Sequence, residues 1–328
     1  MPKNIPVGIL FVIVFAGLLA AAAPVPDVRI SKEGRASIDA ALKYLAARQN
    51  DDGSWDEGSY GRPTASAALA GLAFMSDGHM PGRGAYGENV SKALDYVLAS
   101  AQPNGLLEYG APHYAMYSHG YATLFLAEAW GMTARSDIRD KLKSAVDLIV
   151  RTQNREGGWR YEPKVADADI SVTIVQIVAL RAAANAGIAV SRDTVDNAVE
   201  YLRKCAQRDG GFSYQAGSGQ SGYPRSGGAL VCFALTGNYA APEIPGAVHY
   251  LQANRRYRGG NYFYGQYYAA QGMHLVAPHD WPDWYGFITG DLKARQSADG
   301  SWDSSAYSTA MGALVLTIPN GYLPLYQR

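Results

Sequence analysis

The stretch Gln153-Asn-Arg-Glu-Gly-Gly-Trp159-Arg-Tyr161, followed by Asp167-Ala-Asp169-Ile-Ser171-Val-Thr173 and a long apolar run, decides the fold. It reads as the end of one helix, a tight glycine turn beside a tryptophan, and the start of a second, buried helix. Versions of the turn recur as Asp52-Gly53-Ser-Trp55, Asn104-Gly105-Leu-Leu, Gly210-Gly211-Phe212, Gly259-Gly260-Asn-Tyr262 and Asp299-Gly300-Ser-Trp302. The glutamines that lead into the turns (Gln49, Gln102, Gln153, Gln207, Gln252 and Gln296) recur about every 44 to 54 residues, a period that signals a repeat architecture.

The helices before the turns carry charges on one side, as in Asp140, Lys141, Lys143 and Asp147, and are expected to face water. Those after the turns are apolar nearly all round and are expected to be buried: 64–75, 116–130, 171–184, 226–235, 267–276 and 309–318. Six helices of each kind, alternating, predict an all-α fold, a single α6/α6 toroid in which twelve helices form a double ring. Small residues such as Ala67, Gly71, Gly227, Gly228 and Gly312 let the inner helices approach closely. Glycine supplies positive φ where each outer helix stops. The glutamine can bind helix-end backbone groups, and the aromatic can cover that contact.

These Gln-x-x-x-Gly-x-Trp segments resemble the repeats of the squalene cyclase and protein prenyltransferase superfamily, and the resemblance covers almost all of residues 34–318. Gln49–Trp55, Gln153–Trp159 and Gln296–Trp302 are close matches, Gln207–Phe212 a softer one, and Gln102 and Gln252 are degenerate. The resemblance implies a terpenoid cyclase-like toroid. Squalene cyclases of this superfamily carry two such barrels, whereas the repeats here build one. Class II terpene cyclases protonate an alkene or epoxide with the middle aspartate of Asp-x-Asp-Asp-Thr. Asp167-Ala-Asp169 would put that acid at Asp169, but aligning Thr173 and Ala179-Leu180 puts Ser171 there instead. A serine cannot protonate an alkene. Asp169 then reads as an N-cap of the buried helix. Protein prenyltransferases hold zinc through Asp-x-Cys and a distant histidine; Cys232 has no aspartate two residues before it, and the six histidines show no ligand spacing. Neither a metal nor a cofactor is expected.

If all inner helices run the same way, their first turns converge on one mouth. The residues expected there are Tyr60 and Arg62, Tyr117 and His119, Asp169 and Ser171, Tyr223 and Arg225, Tyr264 and Gln266, and Tyr307. Six helix N-termini around one opening favour an anionic group such as a carboxylate or diphosphate, with Arg225 adding a fork of donors. The abundance of tyrosine (23, against 8 phenylalanines) suits a wet cavity as well as a core. A formal net charge of zero gives no reason to expect nucleic acid or an anionic membrane surface.

Residues 1–23 read as a signal peptide: Lys3 precedes an apolar run from Val7 to Leu19, and Ala20 to Ala23 offer small residues for cleavage. Residues 24–33 read as a linker and 34–328 as the toroid, which is expected outside the cytoplasm, periplasmic or extracellular. An uncleaved segment would instead be a membrane anchor. Cys205 and Cys232 read as unpaired core residues.

The leading expectation is an exported toroid that binds an isoprenoid, a lipid or a protein segment in its mouth. A first alternative is an exported polysaccharide lyase or glycoside hydrolase. That needs two carboxyl groups across one bond, with Asp169 as one acid, the more distant Asp56 or Glu57 as the other, and Asp280-Trp281-Pro-Asp283-Trp284-Tyr285 as a rim. A second alternative is an active terpene cyclase using Asp169.

Overall fold

Each repeat folds as a pair of helices, and a computed structural model describes them over residues 27–110, 112–133 and 135–327. The signal peptide and the start of the linker lie outside the described residues. The first six helices are α1 (Lys32–Arg48), α2 (Thr64–Ser76), α3 (Gly87–Ala99), α4 (Ala115–Trp130), α5 (Asp137–Thr152) and α6 (Ile170–Asn185). They are followed by α7 (Arg192–Cys205), α8 (Tyr223–Leu235), α9 (Glu243–Ala253), α10 (Tyr262–Val276), α11 (Trp281–Arg295) and α12 (Ala306–Thr317). The described residues contain no β-strand, only isolated bridges at the turns.

The even-numbered helices form the inner ring: α2 packs on α4, α4 on α6, α6 on α8, α8 on α10, α10 on α12, and α12 returns to α2. The odd-numbered helices lie outside them. In α5 the buried residues Ile138, Leu142, Ala145, Val146 and Ile149 fall on one helical stripe, whereas α6 is buried almost throughout. The tightest inner contact is α8 against α10, where a Cβ on Gly227 would lie 2.6 Å from the backbone nitrogen of Ala269. Only glycine permits that approach.

The repeated turn is a set of hydrogen bonds. Gln153 Nε2 donates to Gly157 O (2.8 Å) in its own turn and to Thr194 O (2.8 Å) in the next outer helix, α7. Gln49 does the same to Gly53 O and Asn89 O, tying the first turn to α3. The indole of Trp159 donates back to Ile149 O (2.7 Å), as Trp55 does to Leu45 O and Trp302 to Leu292 O. Gly157 sits at φ +100°, and a Cβ there would come within 2.1 Å of Asn197 O, so left-handed backbone and close approach both demand glycine. The last turn closes the ring: Gln296 donates to Ser37 O of α1 (2.9 Å) and to Gly300 O (2.9 Å).

Four details differ from the sequence expectation. Helix α8 begins at Tyr223 rather than Ser226, because Pro224 sits in its first turn, where a missing N–H costs nothing. Helix α10 begins at Tyr262, its first turns being tyrosine, phenylalanine and glycine rather than aliphatic. The fifth turn, Gly259-Gly260, has no left-handed glycine, in keeping with its degenerate motif. Finally, Trp281, Trp284 and Tyr285 form no rim; they are buried in the first turns of α11. Cys205 and Cys232 are free and buried.

Candidate ligand cavity

The first turns of all six inner helices surround a cavity of about 1020 Å³, open at one end of the toroid. Eleven tyrosines reach its wall, among them Tyr60, Tyr117, Tyr121, Tyr223, Tyr264 and Tyr307. Ser171 and Arg225 also line it. Four expected residues stand elsewhere, among them Gln266, which is buried and accepts Tyr223 Oη–H (2.9 Å). Arg62 lies off the wall, held by Asp56 (2.9 Å) and Asp52 (3.2 Å). His119 is buried between α4 and α5: Leu107 N–H donates to its Nδ1 (3.1 Å) and its Nε2 faces Ala145 O (3.1 Å). It occupies the position of Thr173, Ser226 and Thr309, each of which accepts the backbone N–H of the residue after a glycine turn. Burial lowers the His119 imidazole to about 4, so it is neutral.

Asp169 is fully buried behind the wall. Its Oδ1 accepts Val172 N–H (3.0 Å), which makes it the N-cap of α6, and its Oδ2 has no hydrogen-bond partner, with Arg160 Nε 3.8 Å away. Burial, only partly offset by the Val172 N–H and Arg160, raises the carboxyl to about 6. Ser171, two residues on, is the side chain that turns to the cavity.

Several wall residues lie in the loops. The residues two places after Trp159 and Phe212 link neighbouring repeats: Met116 N–H donates to Tyr161 O and Ile170 N–H to Tyr214 O, while both phenols line the cavity. At the ring's seam the equivalent residue is Glu57, whose carboxylate, rather than its backbone, accepts Tyr307 N–H (2.6 Å) and Ser305 Oγ–H (2.9 Å). Sequence reasoning missed Tyr161 and Tyr214 as wall residues, although the spacing Trp159–Tyr161, Phe212–Tyr214 and Trp55–Glu57 is a signal that could have found them. Tyr250, Asn254, Arg256 and Tyr257, from the end of α9 and the loop after it, carry no such periodic signal.

Several phenols are hydrogen-bonded: Tyr161 pairs with Tyr214, Tyr223 Oη–H donates to Gln266 Oε1 (2.9 Å), and Tyr264 Oη–H donates to Ser171 O (3.3 Å). Burial pushes the Tyr117, Tyr121 and Tyr264 phenols well above their ordinary value, so they stay neutral. The wall is therefore aromatic, with polar tips. Among the described residues no group of three or more His, Cys, Asp or Glu side chains is placed to hold a metal ion.

Residues 97–267, just over half of the chain, match the family model described as Prenyltransferase alpha-alpha toroid domain. The chain belongs to this family. It is similar to the drimenyl diphosphate synthase of Streptomyces showdoensis, 30% identical over 220 residues, which are 65% of this chain and 39% of that protein. A second drimenyl diphosphate synthase, from Streptantibioticus cattleyicolor, is 27% identical over 188 residues, 54% of this chain and 32% of the relative. The chain thus spans less than half the length of these curated relatives.

Among solved structures, the type II terpene cyclase MstE from Scytonema superposes with a TM-score of 0.62 at 15% identity, covering 89% of this chain and 99% of that one. The GH76A alpha-1,6-mannanase from Salegentibacter sp. HEL1_6 superposes with a TM-score of 0.65 at 8% identity, covering 88% and 99%. At these identities both report the fold, a terpenoid cyclase-like toroid, and no more.

Proposed function

We propose that the toroid takes an isoprenoid or similarly extended apolar ligand into its tyrosine-walled cavity and holds it without protonating it. The observation that carries this reading is the pairing of Ser171 with Asp169. The hydroxyl faces the cavity, while the carboxyl is turned back to cap α6. An alkene-protonating acid must reach its substrate, and a serine hydroxyl at that place is far too weak. The cavity itself suits an isoprenoid: aromatic faces offer apolar contact and attract cationic or polarisable carbon. The resemblance to drimenyl diphosphate synthases supports the ligand class.

The carbohydrate reading has one observation behind it, Glu57 on the wall. Among the described residues lining the cavity it is the only carboxylate, and both its oxygens already cap α12. Hydrolysis by paired carboxyl groups lacks its second member. Export of the folded part, read from residues 1–23, belongs to the same proposal and is tested by sequencing the N-terminus of the mature protein.

The test is incubation of the purified protein with farnesyl and geranylgeranyl diphosphates, followed by extraction and mass spectrometry. Recovery of unchanged substrate, together with thermal stabilisation by it, supports the reading. A cyclised product that disappears in Asp169→Asn contradicts it and restores an active cyclase. Stabilisation by neither isoprenoids nor oligosaccharides points instead to a protein segment in the mouth.

A further inference from the structure

The glutamine staples do not run all the way round the outer ring. Where a staple forms, the turn glycine faces one carbonyl of the next outer helix and the glutamine bonds the carbonyl three residues earlier. Gly157 faces Asn197 O while Gln153 donates to Thr194 O, and Gly53 faces Lys92 O while Gln49 donates to Asn89 O. Gly300 faces Ala40 O while Gln296 donates to Ser37 O. Gly210 faces Gly246 O, which makes Glu243 O the matching acceptor in α9. Gln207 turns away from it and donates to Cys205 O (3.3 Å). On the other side of α9, Gln252 is exposed, and among the described residues its side chain bonds no carbonyl of α11.

Helix α9 is therefore the one outer helix without a glutamine staple on either side. Its hold on the core is also the smallest. It buries Ile244, Ala247 and Leu251, whereas the other outer helices bury six or seven residues each. Sideways it is held by charge. Arg203 of α7 meets Glu243 (3.7 Å), and in the loop after α9 Arg255 meets Asp283 (2.6 Å) and Arg258 meets Asp291 (2.6 Å), both of α11. Ion pairs open to water contribute little and are screened by salt. Glycines with open space around them flank the segment: Gly237, at φ +77°, before it and Gly260 after it.

This least anchored segment is also a piece of the cavity. Tyr250, Ala253, Asn254, Arg256 and Tyr257 stand on the wall, and the Tyr257 ring stacks on Tyr223 of α8 with centroids 4.9 Å apart. Segments with few buried contacts open locally at a lower free energy than global unfolding. Opening here widens the mouth and leaves the six inner helices in place.

We propose that α9 and the loop after it, hinged at Gly237 and Gly260, form a gate in the cavity wall. The gate swings outward to admit an extended ligand and closes over it through the Tyr257–Tyr223 stack and the two ion pairs to α11. The ligand's chemistry rests on the function proposed above; the gate's motion does not.

Hydrogen exchange of the protein, alone and with farnesol, reads the two separately. In the free protein the α9 amides should be protected on the order of tenfold less than those of α7 and α11. That gap should widen between about 50 and about 300 mM salt as the ion pairs weaken. Farnesol at about 100 times its dissociation constant should slow exchange in α9 by on the order of tenfold or more, and by more than in α7. Farnesol is uncharged, so salt does not steer it, yet its association rate should rise over the same salt range. Gln153→Ala, which removes the staple to α7, should lower α7 protection toward that of α9; no change there overturns the argument from the staples. Protection in α9 equal to that in α7 and α11 overturns the gate, whether or not farnesol binds. Farnesol that binds by calorimetry yet leaves α9 exchange unchanged also overturns it, because the segment is then loose without closing. A fast, salt-sensitive α9 in a protein that binds no farnesol supports the gate and overturns the isoprenoid reading.

Discussion

Replacing Asp169 by asparagine separates the charge of that group from its capping role. The Oδ1 that accepts Val172 N–H at 3.0 Å has an equivalent in asparagine, which caps as well as aspartate does. What is lost is ionisation in a buried place. Burial raises the carboxyl from 3.8 to about 6, against the smaller opposing pulls of the Val172 N–H and Arg160. Because the folded state holds this proton more tightly than the unfolded chain, the stability it contributes is complete below pH 3.8 and is lost as the pH rises through about 6. The rise from 3.8 to about 6 makes the penalty on the ionised form on the order of 3 kcal/mol. Arg160 keeps Asp167 as partner at 3.2 Å, so the substitution does not strand a cation. Urea unfolding should therefore find Asp169→Asn equal to the wild type near pH 4 and more stable near pH 8, by on the order of 1 to 3 kcal/mol. A variant that is less stable at pH 8 would refute the reasoning, because the ionised Asp169–Arg160 pair would then be stabilising the fold.

Glu128, buried near the end of α4 with Leu325 N–H donating to it, is raised by burial from 4.5 to about 7. Wild-type stability should fall as the pH rises from about 4.5 through about 7, and Glu128→Gln should flatten that part of the urea-midpoint profile; an unchanged slope would count against a buried neutral carboxyl. Gly157→Ala should cost at least about 2 kcal/mol, combining left-handed strain with the clash against Asn197 O, whereas Gly187→Ala, at φ +81° with open space around it, should cost only about 1. Equal losses in urea unfolding would mean that the turn does not touch the next outer helix. Gln296→Ala removes the donor that ties the last turn to α1, at a cost of about 1 to 2 kcal/mol. Hydrogen exchange should then quicken in α1 while α7, held by Gln153, keeps its protection; uniform loss would argue against a seam at that place.

Much of the fold was written in residues with no alternative use. Gln153, Gly157 and Trp159 make sense together only if a helix ends, turns left-handed and meets a second helix, and the structure has those bonds. The even apolarity of α6 and the one-sided charge of α5 likewise fixed which ring each occupies. The site was harder to see. The first turns of α8 and α10 are built from tyrosine, proline, arginine and glycine, so apolar runs alone placed their starts too late. His119 shares a first turn with Tyr117 but faces the other way, since residues two apart on a helix do not share a face. Part of the wall's charge comes from a loop: Arg256 gains its place only when the α9–α10 connection folds over the mouth. No local pattern encodes that.

The most direct test of the account is the thermal unfolding of this protein with farnesyl diphosphate, set against the same measurement with mannan oligosaccharides. With the isoprenoid at about 100 times its dissociation constant, the native state should gain about 2.7 kcal/mol, and the oligosaccharides should give no shift. Stabilisation by the oligosaccharides without any by the isoprenoid would contradict the claim that the tyrosine-walled cavity is built for an apolar chain.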